Sequence, residues 1–395
     1  MVYLDNSATT RQYDSVTEIM TEYMKKDFGN PSSLHRLGIQ AEKGIKNARK
    51  EIALALGAKS EEIVFTSGGT EADNMALLGT ASARKRRGNK IITTAVEHPA
   101  VLETVKRLEG QGYYIVEYIG VDEKGNLDVK ALQEAVDEAT ILISVMGVNN
   151  EVGTVEPLEE IIRIKNEYNK AKGTDILFHT DAVQALGKIP MSFQGVDLIS
   201  VSGHKIHGPK GIGALYIRKG LTIEPYLIGG GQEKNMRSGT ENVPAIVGFG
   251  HAAKQIRENF EKRILAMSEA RNYLLKGIKE EIKDIKVNGV EQDTLSGESG
   301  LCSPSVLNIS FLGTRGEVIL HTLEQADIYV SIGSACSSNK NGQSHVLKAM
   351  GLNSKEIESA IRFSFNEFNT MEEMDYVLEH VKSAVTKFRK LGSFR

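Results

Sequence analysis

The sequence predicts an α/β protein: a large domain built on a mostly parallel sheet of seven strands, followed by a smaller α+β domain. Three observations carry this expectation. From about residue 60 to 220, short apolar runs alternate with longer amphipathic stretches, the pattern of a parallel sheet with crossover helices. After about residue 260 the alternation gives way to a long charged helical stretch and isolated strand-like pieces. The chain has 395 residues, more than one hydrophobic core usually serves.

Taken in order, the candidate strands are Glu62–Thr66, Lys90–Ala95, Tyr113–Tyr118, Thr140–Met146, Asp175–Thr180, Asp197–Val201 and Gly213–Arg218. Helical periodicity fills the gaps at Thr70–Arg87, Ala100–Glu109, Val129–Ala139 and Leu158–Lys172. In the second part, one helix is expected from about Ala252 through Ile282, strands at Ser305–Phe311 and Ile328–Val330, and helices at Ser354–Ala360 and Met371–Leu391. The domains then span residues 16–260 and 261–395, with the helix crossing their boundary. Ligands of such sheets bind beyond the carboxyl ends of the strands, so the loops after strands are where chemistry is sought.

Composition narrows the function. The chain is 41% hydrophobic and 25% charged with a formal net charge of −3, which points to neither a nucleic-acid nor a membrane surface. The dense basic run Arg84-Lys85-Arg86-Arg87 reads as a solvated helix end. Cys302 and Cys336 stand far apart with no CxxC or Cys/His spacing, which argues against a zinc site and a disulfide framework. The start Met1-Val2-Tyr3-Leu4-Asp5-Asn6 has no signal-peptide pattern, and apolar runs such as Ile141 to Val148 are too short to span a bilayer. A cytoplasmic protein is expected.

Ser202-Gly203-His204-Lys205 places a lysine just after a buried strand. Such a lysine can lose its proton and form a Schiff base with a carbonyl cofactor; most lysines after strands are plain surface charges. Ser67-Gly68-Gly69-Thr70 opens a helix after another strand, reading either as an anion cradle or as a glycine turn with a threonine cap. The loop lacks the Lys-Ser/Thr of a Walker A motif, as does Gly208-Pro209-Lys210-Gly211-Ile212-Gly213, read as a tight hairpin. Asp181, at a strand end, could keep a pyridine nitrogen protonated or cap the next helix; Gln184 falls on the same side. His98 could stack on a flat ring or be a turn residue beside Pro99, and Asn149-Asn150-Glu151 reads as a turn. The glycine-rich stretch Gly229–Thr240 reads as a mobile loop or a second phosphate contact. Arg362 lies in an apolar context and calls for a carboxylate, from a substrate or from a structural Asp or Glu. Cys336 lies among small polar residues, as an accessible nucleophile would, whereas Cys302 reads as incidental.

Together these residues resemble the cysteine desulfurases, a class V branch of the fold-type-I enzymes that use pyridoxal 5'-phosphate (PLP). The matching pieces run in order over nearly the whole chain: Tyr3–Thr10, Gly29–Ser33, Ser67–Asn74, Glu97-His98, Asn149–Glu151, Asp181 with Gln184, Ser202–Lys205, Met236–Thr240, Gly333–Cys336 and Ile361–Ser364. The resemblance implies that residues 1–15 pack on the small domain and that Lys205 carries PLP. It implies that Gly69, Thr70, Ser202 and His204 hold the phosphate, with Thr240 reaching it from a second subunit of a homodimer. Asp181 would pair with the ring nitrogen, Gln184 would meet the ring oxygen, and His98 would stack on the ring. Asn150 would lie near the substrate and Arg362 would clamp its carboxylate. Cys336 would take the sulfur of L-cysteine as a persulfide, releasing L-alanine. No resident metal is implied, although Cys336 is where a transferred iron–sulfur cluster would be met.

Three departures limit the resemblance, the first a minor one and the other two leaving the acceptor open. Gly69 replaces a frequent alanine, Ser337–Gln343 lacks the Leu-Glu-Pro form of iron–sulfur housekeeping members, and the chain stops at Arg395 without their longer tail. An iron–sulfur scaffold and a tRNA thiolation enzyme both stand as acceptor proteins. Selenocysteine lyase shares the scaffold; an aminotransferase or decarboxylase would have no use for the thiol, and a non-catalytic scaffold no use for the occupied catalytic positions.

Overall fold

The computed structural model describes residues 1–190, 192–291, 301–333 and 343–392. Its strands are β1 (Val2–Tyr3), β2 (Ile63–Thr66), β3 (Lys90–Thr94), β4 (Ile115–Ile119), β5 (Thr140–Ser144), β6 (Leu177–Asp181), β7 (Leu198–Ser202), β8 (Gly213–Ile217), β9 (Ile285–Asn288), β10 (Val306–Phe311), β11 (Ile328–Tyr329) and β12 (Ala360–Ser364).

The central strands β5, β6 and β7 are buried at every position. Helices cover both faces, so these strands carry apolar residues toward both sides instead of a strict apolar/polar alternation. They belong to a seven-stranded sheet of order β2-β8-β7-β6-β5-β3-β4. Only β8 runs against the others. The expected mostly parallel α/β fold is therefore present, each strand lying where the apolar runs placed it apart from shifted ends. A second, antiparallel sheet has the order β12-β10-β9, and β1 pairs with β11. Its core, around Leu4, Ile309, Phe311, Ile361 and Phe363, is separate from the core of the large sheet.

Three differences have physical causes. The helix expected at Ala252–Ile282 is two helices, Val243–Glu258 and Phe260–Glu281. Asn259 breaks it at φ −111° and ψ 18° and donates its side-chain amide to Gln255 O at 3.0 Å. Apolar periodicity continues because both helices bury one face. The helix Gly69–Arg84 ends inside the basic run, and Arg84 is not solvated: it is buried and donates to Asp175 Oδ2 at 2.8 Å. The Gly229–Thr240 stretch is anchored, because buried Glu233 accepts from Arg49 at 2.6 and 2.7 Å and from Phe65 N at 2.9 Å. The helix Arg36–Ala55 packs on Val243–Glu258, where Gly250 admits the backbone of Ala48 as no larger residue would. No helix of the described residues is long and apolar enough to cross a membrane.

Candidate active site

Strand ends of the large sheet converge on one cavity of about 290 Å³. β7 delivers Ser202, and the single turn Gly203–Lys205 that follows turns the lysine inward. Lys205 Nζ donates to the carbonyls of Ser7 at 2.5 Å and Ala8 at 2.7 Å. β6 delivers Asp181, β2 leads to Gly69 and Thr70, β3 leads to His98, and β5 leads to Asn150. Gly69, Thr70, His98, Asn150, Asp181, Gln184, Ser202, His204, Lys205 and Arg362 all line the cavity. Thr240 does not: it is exposed, away from this chain's cavity. Cys336 lies outside the described residues.

The charged groups on the floor are shaped by burial. Asp181 is buried and accepts from Val183 N at 2.9 Å. Burial raises its pKa, while His98, that backbone N–H and Lys205 oppose the rise. Asp73 stands next to it, its Oδ1 without a hydrogen-bond partner among the described residues. Burial, with the charge of Asp181 added, raises Asp73 well above an ordinary carboxylate. Two close carboxyls in a dry site cannot both ionise cheaply, and each raises the other. His98 Nδ1 accepts from Ala100 N at 3.1 Å, capping the helix Pro99–Glu109. Burial lowers its pKa, and because Nδ1 accepts, a ring proton belongs on Nε2. His98 is thus a cap as well as a cavity residue. Asp73, His98 and Asp181 each bring a ligand atom within 4.8 Å of the others, a spacing that would also admit a metal ion.

One end of the cavity is an anion seat. No side chain caps the helix Gly69–Arg84, whose N-cap is Gly68 rather than Thr70. The first-turn N–H groups and the helix dipole are left to face an anion. A methyl group at Gly69 would stand 2.8 Å from Val183 Cγ2. Ser202 and His204 flank the seat; burial, then Lys205, lowers the His204 imidazole to about 4, so it is neutral. Glu71 in the first turn accepts from Arg237 Nε at 2.8 Å, which fixes the segment leading to Thr240.

Arg362, which also lines the cavity, is buried and held by the chain itself. Its Nη2 donates to Asp5 Oδ1 at 2.9 Å and its Nη1 to Asn150 O at 3.1 Å. Its Nε has no partner among the described residues. The carboxylate that the sequence demanded is present, but it touches only one nitrogen, so hydrogen-bonding capacity remains.

Sequence reasoning missed several groups here. Asp73 lies inside the matched Ser67–Asn74 segment, four residues after Gly69 on the same helix face. Ser7 and Ala8 lie in the matched Tyr3–Thr10 segment, and act through backbone carbonyls that no side-chain motif reveals. Buried Glu151 accepts from Ser344 Oγ at 2.5 Å, and burial pushes it up to about 7.

Comparison with known proteins settles the family. The sequence profile of the aminotransferase class-V family matches residues 2–377. The cysteine desulfurase IscS of Dictyoglomus turgidum is 44% identical over 396 residues, covering 100% of this chain and 97% of the relative. The cysteine desulfurase IscS of Methanosarcina thermophila is also 44% identical, covering 99% and 93%. The chain belongs to the class-V aminotransferase family, among its cysteine desulfurases. A solved NifS-like protein superposes with a TM-score of 0.89 at 40% identity, covering 98% of this chain and 99% of that one. The cofactor of the family is PLP, and the cavity suits it: an uncapped helix start for a phosphate, a buried carboxyl for a ring nitrogen, and an inward lysine for the aldehyde.

Proposed function

We propose that this chain is a PLP-dependent cysteine desulfurase that converts L-cysteine to L-alanine and passes the sulfur to an acceptor protein. The observation that carries the reading is that Lys205, Asp181 and Arg362 face one cavity from three separate elements.

Lys205 would hold the cofactor's aldehyde carbon, and Asp181 its ring nitrogen. Gly69, Thr70, Ser202 and His204 would hold the phosphate, Gln184 would meet the ring oxygen, and His98 would stack on the ring. Bound there, the cofactor supplies an electron sink for bonds to the substrate's α-carbon. The residues do the rest. Arg362 and Asn150 orient the substrate carboxylate and turn its α-carbon toward Lys205, whose amine moves the α-proton. In the net transfer the substrate C–S bond breaks and an S–S bond to Cys336 forms. The carbon keeps the bonding pair and takes a proton, and alanine leaves.

Exposed Thr240, on a segment pinned by Glu71, would complete the phosphate site of a partner subunit in a homodimer. Division of the chain near Asn259, with residues 1–15 joined to the small domain, a cytoplasmic location, and an iron–sulfur scaffold or tRNA thiolation enzyme as acceptor belong to the same reading.

Mass spectrometry after addition of L-cysteine tests it: one extra sulfur is expected on Cys336. Cys336→Ala should keep the visible cofactor band but stop alanine formation, whereas Lys205→Ala should lose the band. Cys302, fully buried, serves as the control, and Cys302→Ala should leave turnover near wild type. Normal alanine formation by Cys336→Ala would remove that thiol from the mechanism.

A further inference from the structure

Gln184 faces the cavity, but an amide offers two chemically opposite ends of nearly the same shape. Its Nε2 donates to Ser7 O at 2.9 Å, the carbonyl that also accepts from Lys205. Its Oε1 accepts from Lys188 Nζ at 2.5 Å. Lys188 does not line the cavity and is buried, 4% exposed. Among the described residues it has no ion-pair partner within salt-bridge distance. Its charged neighbours are Lys205, Arg263, Arg362 and Glu367. A carbonyl only accepts, so Ser7 fixes the amide nitrogen on one side. A lysine N–H donates, so Lys188 fixes the oxygen on the other. The second N–H of Nε2 is then left for the cavity.

We propose that Lys188 is a positioning residue: by holding the Gln184 carboxamide oxygen, it presents the amide nitrogen as a donor to the ring oxygen of the bound cofactor. This rests on the functional reading above, in which Gln184 meets that oxygen. Burial holds the amine well below the ordinary lysine range, which suits a hydrogen-bond donor rather than a counter-charge. Without Lys188, Gln184 Oε1 would be buried and unpaired, and the amide would be free to turn away.

The test is a pH titration of the visible band of the PLP-loaded protein. A donor on the ring oxygen weakens that oxygen's hold on the neighbouring chromophore proton, so losing the donor raises the titration midpoint. One hydrogen bond of ordinary strength corresponds to about one pH unit, or roughly tenfold in proton affinity. Lys188→Met and Gln184→Met should each raise the midpoint by that amount, and the double variant by no more than either. Lys188→Gln, which keeps an N–H, should return the midpoint toward wild type. An unmoved midpoint in Lys188→Met, or a Lys188→Met effect that adds in full to that of Gln184→Met, would overturn the assignment. A wild-type protein that takes up PLP without any visible band would instead overturn the functional reading itself.

Discussion

Glu156 offers a stringent check on how the site is built. Its backbone N–H donates to Gly147 O at 3.1 Å, beneath the turn that carries Asn150. Its side chain is 2% exposed. Oε2 accepts from Leu127 N at 3.1 Å, and Oε1 has no partner among the described residues. Burial pushes the carboxyl from 4.5 up to about 8; the Leu127 N–H pulls it down and Asp122 adds to the rise. The folded protein therefore binds this proton more tightly than the unfolded chain. Its contribution to stability is whole below the unfolded value and is lost as pH rises through the folded one. At 1.36 kcal/mol per pH unit, the loss is about 3 kcal/mol at neutral pH and about 5 kcal/mol above about pH 8. Glu156→Gln has the same shape and no charge to bury. Urea denaturation of both proteins at about pH 5, 7 and 9 reads the difference. The variant should match wild type within about 1 kcal/mol at the lowest pH and exceed it by several kcal/mol at the highest. Glu151 titrates in both proteins and cancels. Parallel pH profiles would show that the carboxyl is not held neutral and that the reasoning is wrong.

Two further outcomes are expected at the cavity. Arg362→Ala removes two charge-assisted donors and should raise the KM for L-cysteine by about 30- to 100-fold, the equivalent of about 2–3 kcal/mol. The visible cofactor band should remain; an unchanged KM would place the substrate carboxylate elsewhere. Gly69→Ala brings a methyl group against Val183 Cγ2 at 2.8 Å and should cost about 1–3 kcal/mol of overpacking. Weaker PLP retention, followed by absorbance on dilution, should report it, and Val183→Ala in the same chain should restore it.

The sheet was legible because β5, β6 and β7 are buried on both faces, and burial of that kind writes itself as short, mostly apolar runs free of strict polar alternation. The cavity residues were legible because each follows a strand or sits in a motif that the chain keeps in order. Arg362 shows the limit. Its need for a carboxylate could be read, but Asp5 is separated from it by 357 positions, and no local pattern joins the two. Asp73 was hidden for another reason: on a helix, an acid three residues past a threonine is ordinary until the fold places a second carboxyl behind it. The break at Asn259 left no mark in the periodicity, since the two helices it separates each turn an apolar side to the core.

The wall of the cavity formed by Ser7 and Ala8 imposes an order on biosynthesis. Asn6 donates its side-chain amide to Ser364 O at 2.8 Å, and Ser7 N donates to Ser364 Oγ at 2.9 Å. The segment that anchors the lysine is thus made more than 350 residues before β12, the strand that fastens it. A nascent polypeptide therefore cannot seal this pocket before β12 has emerged, and vitamin capture waits for that strand.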